Sequence, residues 1–223
     1  MLRTITLLAL PCALWLGACG GGGNANPTLP ARTDFIQPTQ IAGNISDYNK
    51  LKGTLEILGK NKEVLSSAVA KTTGDFTIEL PNATGATKLS EGTFQLLLEI
   101  MMRNDESCTG NVTLSNLAAR VYGTGPLQLT QGNTKRALLS NSGSVVNNNS
   151  TGSVSLWLYA SSAVNLTGEK RCGGALSTSN LYLKFGWNQV FLSFALRDIQ
   201  MQSVDAASST WGDPVPGVGV FSP

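Results

Sequence analysis

The sequence predicts an all-β protein made of antiparallel β-sandwiches, and three observations support this fold class. Apolar and β-branched residues alternate with polar ones over many short runs, which is the period of a half-buried strand. Glycine, asparagine, aspartate and proline separate these runs, as they do at turns between strands. Charged residues make up only 13% of the chain, so serine, threonine, asparagine and glycine must cover much of its surface.

The first part of the chain predicts short strands joined by tight turns. Four runs fit this pattern: residues 41–46, 54–58, 64–71 and 76–81. Residues 59–62 predict a hairpin turn, and Phe76, Ile78 and Leu80 are expected to share one face of their strand. Residues 93–102 form a longer apolar run, which we expect to be a central strand.

The second part of the chain continues the alternation. Further runs predict strands at residues 127–130, 153–160, 164–168, 181–185 and 188–195. Residues 111–122 fit two structures, since 112–116 alternates like a strand and 117–122 fits a helical turn equally well. Residues 141–152 are polar and predict a loop, whereas the proline and glycine residues after residue 205 predict an extended end.

These runs predict the following domain organisation. We expect a β-sandwich at residues 41–103, a second β region at 104–203 and an extended tail at 204–223. The second region either packs against the first or continues it, and a single larger sandwich fits the same pattern.

Residues 1–18 have the three parts of a secretory leader, with a helix expected in the precursor. Arg3 is the positive charge, an apolar run extends from residue 5 to residue 16, and the small residues Gly17 and Ala18 precede Cys19. The run is shorter than the roughly 20 apolar residues of a membrane-spanning helix. Together, Leu16-Gly17-Ala18-Cys19 resembles the lipobox of bacterial lipoproteins.

The lipobox resemblance implies signal cleavage after Ala18 and a diacylglycerol on Cys19, which would attach the chain to a lipid bilayer. Two or more acyl chains give a stable anchor. Residues 19–40 contain four consecutive glycines and then prolines, which predict a flexible and then stiffer tether. The protein is therefore expected outside the cytoplasm, in the bacterial cell envelope. Gly20 rather than aspartate follows Cys19, which favours the outer membrane or the cell surface.

Composition excludes several classes of chemistry. The chain contains no histidine, so it lacks Ser-His-Asp and Cys-His catalytic sets and any histidine ligand for zinc. It also lacks phosphate-binding glycine loops and EF-hand spacing. Basic residues occur only in scattered pairs, such as Lys135-Arg136, so no nucleic-acid partner is expected. We therefore predict no catalytic residue, no metal and no cofactor.

Two cysteines remain once Cys12 leaves with the leader and Cys19 is acylated. In an oxidising compartment, Cys108 and Cys172 are predicted to form a disulfide. The alternative is a pair of buried free thiols. A disulfide closing this loop would stabilise the fold by at most about 4 kcal/mol.

The first predicted sandwich resembles the carboxypeptidase-regulatory-like, or transthyretin-like, family. Three segments carry the resemblance: Gly43-Asn44-Ile45, residues 53–57, and the Gly-Asp-Phe-Thr-Ile-Glu-Leu-Pro run at residues 74–81. It implies an adhesion, spacer or accessory module with no catalytic residues to transfer.

The mature chain also resembles a group of bacterial lipoproteins without assigned activity. The shared motifs are Cys108-Thr109-Gly110, residues 154–159, Leu166-Thr167-Gly168, Cys172 and residues 181–188. The last of these contains Gly186-Trp187-Asn188, which is expected at a hairpin or bend.

Aromatic and acidic residues were the remaining candidates for ligand contact. One set would form an aromatic platform for sugars, or else lie in the core: Trp157, Tyr159, Tyr182, Trp187 and Phe191. Trp211 lies in a polar segment and is the better candidate for an exposed contact. A calcium site formed by Asp105, Glu106 and Asp47 or Asp75 is less expected than solvated turns.

These observations favour a structural or interaction module of the cell envelope over an enzyme. Its expected partners are the bilayer, through acylated Cys19, and an envelope protein or glycan. The alternative is a lipoprotein that binds carbohydrate or another small ligand. A third hypothesis, an enzyme using carboxylates or a metal, has the least support, because the sequence contains no histidine to transfer protons.

Overall fold

The computed structural model describes residues 34–102, 107–146, 149–195 and 198–213. The first strands are β1 (Gln40–Ile45), β2 (Gly53–Leu58), β3 (Val64–Ala70) and β4 (Asp75–Glu79). Two helices follow, α1 (Ala83–Ala86) and α2 (Gly92–Met102). Short strands come next: β5 (Cys108–Thr109), β6 (Val112–Leu114), β7 (Val121–Gly123), β8 (Leu127–Gln131) and β9 (Thr134–Leu138). The remaining strands are β10 (Asn141–Val146), β11 (Asn149–Ala160), β12 (Val164–Cys172), β13 (Ala175–Leu183), β14 (Gly186–Ala195), β15 (Asp198–Val204) and β16 (Ser209–Trp211). The predicted all-β, antiparallel and sandwich-type fold class is confirmed.

The large sheet is strongly curled. Its strands follow the order β10-β11-β14-β15-β13-β12-β5. In addition, β7 pairs with β11 on the side away from β14, and β6 pairs with β12 on the side away from β13. In a flat sheet β11 and β12 would lie about 19 Å apart, four strand spacings. The connection over residues 161–163 spans at most about 14 Å from Ala160 to Val164. The sheet must therefore curl until β11 and β12 approach each other.

The inner face of this curled sheet is aliphatic. Residues that alternate along β11 to β15 form one buried cluster: Val154, Leu156, Leu158, Ala160, Val164, Leu166, Leu181, Leu183, Val190, Leu192 and Met201. Helix α2 adds Phe94, Leu97 and Met101 to this cluster and packs against β7, β12 and β13. Each such buried side chain contributes about 1.5–3 kcal/mol of hydrophobic stabilisation.

The central strand predicted for residues 93–102 is wrong, because these residues form α2. Leucine, methionine, glutamine and glutamate dominate the segment and have high helix propensity. Phe94, Leu97 and Met101 are buried at helical spacing. The Ser90 hydroxyl also accepts a hydrogen bond from Gly92 N at 3.0 Å, which satisfies a free donor at the start of the helix.

Two smaller sheets pack together around a second core. One has the order β16-β1-β4, with β16 parallel to β1, and the other is antiparallel with the order β3-β2-β8-β9. Ile41, Leu55 and Ile78 are fully buried between them. The predicted hairpin turn at residues 59–62 joins β2 to β3, and Phe76 and Ile78 face inwards as expected.

Each of the two smaller sheets combines strands that precede residue 103 with strands that follow it. Leu55 of β2 pairs with Leu129 of β8, and Gly43 of β1 pairs with Ser209 of β16. The first predicted β region is thus continuous with the chain that follows it.

The polar loop predicted for residues 141–152 is wrong for the described residues of this segment. Residues 141–146 and 149–152 belong to β10 and β11, which pair from Asn141↔Val154 to Val146↔Asn149, and residues 147–148 lie outside the described residues. Backbone hydrogen bonds hold these two strands together. Every residue type except proline can form such bonds, so the polar composition of the segment does not indicate whether it forms a strand. Residues 111–122 contain both β6 and the start of β7, with a turn at 117–118 between them.

The first part of the predicted tail pairs with the body, where β16 joins β1, and residues 214–223 lie outside the described residues.

Neither α1 nor α2 combines the length and the hydropathy needed to cross a membrane; this statement covers the described ranges only.

Gly43 makes the β1–β16 pairing possible, and its replacement tests this contact. A Cβ at this position would overlap the Ser209 carbonyl oxygen and lie 2.5 Å from the Trp211 ring. We expect Gly43→Ala to lower the free energy of unfolding in urea by about 1–3 kcal/mol through overpacking.

Gly92→Ala is the matched control, because only the movable Ser90 hydroxyl lies near its Cβ, at 3.1 Å. This variant should leave the stability unchanged or slightly raised, since alanine is the better helix former. Equal destabilisation by the two substitutions would contradict the packing argument.

Candidate functional site

The outer face of the large sheet divides into a covered and an uncovered part. Trp157, Tyr159 and Trp187, on β11 and β14, point towards the two smaller sheets and belong to their core. Further along the sheet, most outward residues of β12, β13, β15 and β14 are polar and half-buried or exposed, and the aromatic residues Tyr182 and Phe191 lie among them. We call this uncovered part the polar face; it comprises Asn165, Thr167, Thr178, Asn180, Tyr182, Phe191, Ser193, Gln200 and Gln202.

Strand register aligns the polar face in rows across the sheet. One row runs Thr167–Asn180–Gln202–Phe191, with each neighbour paired directly. The next row runs Glu169–Thr178–Gln200–Ser193. Paired residues on one face have Cβ atoms about 5 Å apart, so amide and hydroxyl groups form a regular array. Charge enters only at the end of the array, with Glu169.

The five aromatic residues considered for a platform or for the core divide between these two positions. Trp157, Tyr159 and Trp187 are buried in the core, whereas Tyr182 and Phe191 are half-buried on the polar face. These two rings flank β15, which lies between their strands. Two strand spacings, or about 10 Å, therefore separate them laterally.

The expectation that Trp211 is an exposed contact is wrong. Its side chain is only 1% exposed. The ring stacks on Trp157 with centroids 5.3 Å apart and meets Phe76 edge-on at 5.7 Å. In the short strand β16, Ser209 is half-buried, Thr210 is exposed and only Trp211 is buried. The polar residues before Trp211 therefore do not indicate that its own side chain is exposed.

The Gly186-Trp187-Asn188 motif forms a structural bend between β13 and β14, which are not neighbours in the sheet. Asn188 Nδ2 donates to the carbonyl oxygens of Lys184 and Gly186, both at 2.8 Å, and its Oδ1 accepts from Lys184 N at 2.9 Å. Trp187 Nε1 donates to Pro81 O at 2.8 Å, which ties the bend to the smaller sheets. All these groups are satisfied within the fold, so the motif has a packing role.

Cys108 and Cys172 form the predicted disulfide. The two residues are directly paired in the β5–β12 ladder, with a Cα–Cα distance of 4.2 Å. The bond joins two residues that are 64 positions apart in the sequence, and it fixes β5 at the edge of the large sheet.

The acidic residues do not form a metal site within the described residues. No group of three possible ligands occurs there, and Asp105 and Glu106 lie outside them. Asp75 accepts hydrogen bonds from Thr73 Oγ1 at 2.6 Å and Asn44 Nδ2 at 2.8 Å. These bonds, helped by the nearby charge of Lys71, lower the pKa of the Asp75 carboxyl. The carboxylate therefore joins β1 to the turn before β4.

The predicted lipobox, including Ala18 and Cys19, also lies outside the described residues. Sequence reasoning missed the polar face, because each of its residues occupies the ordinary solvent position of an alternating strand. No protein-family model, curated protein or solved structure matches this chain.

The disulfide can be tested by thiol labelling and unfolding. We expect Cys108 and Cys172 to resist an alkylating label in denaturant until reductant is added. A Cys108→Ser/Cys172→Ser double variant should lose up to about 4 kcal/mol of stability, because its unfolded state is less constrained. Labelling of either cysteine in denaturant without reductant would contradict the bond.

Proposed function

We propose that this protein is a lipid-anchored, extracytoplasmic lipoprotein of the bacterial cell envelope that acts as a non-catalytic structural or interaction module. The observation that carries the proposal is Leu16-Gly17-Ala18-Cys19, with its leader. An acylated Cys19 would attach the β body to the outer membrane or cell surface, with the bilayer as its first partner.

The Cys108–Cys172 disulfide supports an extracytoplasmic location independently of the leader. Disulfides persist in oxidising compartments and are rare in the reducing cytosol. The low content of charged side chains and the absence of histidine support interaction rather than acid–base catalysis. An envelope protein or glycan would be the second partner.

A second candidate function, carbohydrate binding, is favoured by the polar face. Amide and hydroxyl groups in register can donate to and accept from sugar hydroxyls, and aromatic rings can stack against the apolar faces of sugars. Tyr182 and Phe191 provide two such rings on either side of β15. Because the array is uncharged between its ends, it suits a neutral glycan rather than an acidic one.

Acylation is tested by replacing Cys19. We expect Cys19→Ala to abolish incorporation of an alkyne-labelled fatty acid, because the thioether can no longer form. Cys12→Ala is the matched control, since this cysteine lies within the leader and should leave labelling intact. Continued labelling of Cys19→Ala would refute the proposed anchor.

Carbohydrate binding is tested by affinity electrophoresis through neutral polysaccharides, namely a β-glucan, a xylan and a dextran. We expect at least one of them to retard the protein, and Tyr182→Ala/Phe191→Ala to weaken binding about tenfold, or ~1.4 kcal/mol. Phe185→Ala is the control, because Phe185 is an exposed aromatic residue away from the polar face. Unretarded migration through all three gels would eliminate this candidate.

A further inference from the structure

Four connections meet at one end of the curled sheet, which we call the entry end: residues 115–120, 161–163, 184–185 and 205–207. The register places them together. Ala160 at the end of β11 pairs with Gly186 at the start of β14, and Val164 at the start of β12 pairs with Leu183 at the end of β13. β15 also ends here, where Val204 pairs with Gln189.

The chain enters the body at this same end. Gln37 Nε2 donates to the carbonyl oxygens of Phe185 at 2.8 Å and Trp187 at 3.0 Å. Ile36 N donates to Asp205 Oδ1 at 3.0 Å, and Ala206 N donates to Ile36 O at 3.3 Å. The segment from residue 34 to residue 39 is thus fastened between two of the four connections.

Three large apolar side chains project into solvent from the entry end. Ile36 is 69% exposed, Phe185 63% and Leu117 85%. Each comes from a different part of the chain: the entering segment, the β13–β14 bend and the β6–β7 loop. Asn116 holds the last of these in place, because its Nδ2 donates to Ser162 Oγ at 3.1 Å and to Ala163 O at 3.2 Å.

The charged groups of the entry end are engaged with protein partners. Lys184 Nζ donates to Phe35 O at 3.0 Å, and Arg120 lies 3.7 Å from the Glu91 carboxylate. Asp205 accepts the bond from Ile36 described above. At the opposite end of the sheet, the β12–β13 turn lies beside Lys170, Arg171 and Asp198 and the disulfide. Both ends carry charged groups, and the entry end is distinguished by its three exposed, large apolar side chains.

We infer that the entry end rests on the lipid bilayer, with Phe185, Ile36 and Leu117 inserted among the lipid headgroups. The inference rests on the proposed acylation of Cys19. Fourteen residues separate Cys19 from Asp34. A fully extended chain of this length spans no more than about 50 Å, so the entry end is the part of the body held closest to the anchor.

Tethering makes a weak contact sufficient. Three exposed apolar side chains would bind a free bilayer poorly, but a covalent link converts their contact into an intramolecular one with a high effective concentration. Because Lys184 and Arg120 are matched in number by Asp205 and Glu91, these four groups add no net positive charge, and the contact should not depend on anionic lipid. The polar face and the opposite, disulfide-bearing end would then remain accessible to partners.

The orientation can be tested by photocrosslinking in the full-length, acylated protein. A diazirine phenylalanine analogue replaces Phe185 in one variant and Phe191 in another, and each protein is reconstituted into phosphatidylcholine vesicles. Phe191 is the matched control, because it lies on β14 five residues beyond Gly186, roughly 17 Å further from the entry end. We expect severalfold more lipid adduct from position 185 than from position 191. The yield should be unchanged when phosphatidylglycerol is added to the vesicles.

A second probe position guards against a local folding defect. The same analogue at Ile36 should also form lipid adducts, and the intact Cys108–Cys172 disulfide serves as the folding control. Equal lipid yields at positions 185 and 191 in a protein that carries its acyl chains would overturn the orientation and leave the proposed function standing. Adducts with a second copy of the chain would assign this end to self-association and also overturn it. Absence of the acyl chains in the mass spectrum would refute the proposed function, and the orientation with it.

Discussion

The short connection between β11 and β12 is the constraint on which the rest of the structure depends. Three residues cannot cross the width of three intervening strands, so the large sheet has to curl. Curling gives the sheet a concave inner side, where aliphatic residues and one face of α2 form a single buried cluster. It also brings the free sides of β11 and β12 close enough for β6 and β7, only six residues apart, to pair with them.

The outer face of the curled sheet has two parts, one covered by the smaller sheets and one uncovered. Near β11, large aromatic residues pack against the smaller sheets, and the stack of Trp157 on Trp211 joins the large sheet to the sheet that contains β16. Beyond β14 the outward residues turn from aromatic to polar, and none of the described strands covers them. These hydroxyl and amide groups lie in register on paired strands and present hydrogen-bond donors and acceptors outwards.

Sequence pattern predicted most strands correctly because alternation directly reports a half-buried sheet. It failed for α2, where a short, continuous apolar run satisfies both periods and only the spacing of Phe94, Leu97 and Met101 distinguishes them. It failed for β10, because backbone pairing is indifferent to polar composition. It failed for Trp211, since no local signal reveals that a distant glycine, Gly43, leaves room for its ring. The polar face could not be predicted from the sequence either. Its residues are solvent-facing positions on four separate strands, and they form one surface only after the strands pair.

By itself, the sequence determined the β class and the two cysteines, Cys108 and Cys172, that were available for a disulfide, and it contains the lipobox-like segment on which the proposed location rests. These properties depend on residue identity or on spacing within a few residues. Only the tertiary structure decided which strands are neighbours, which aromatic residues are buried, and which exposed side chains gather at the end where the chain enters. Those properties depend on contacts between residues as far apart as Ile36 and Asp205. Such contacts form only when distant segments pack, and short-range periodicity contains no information about them.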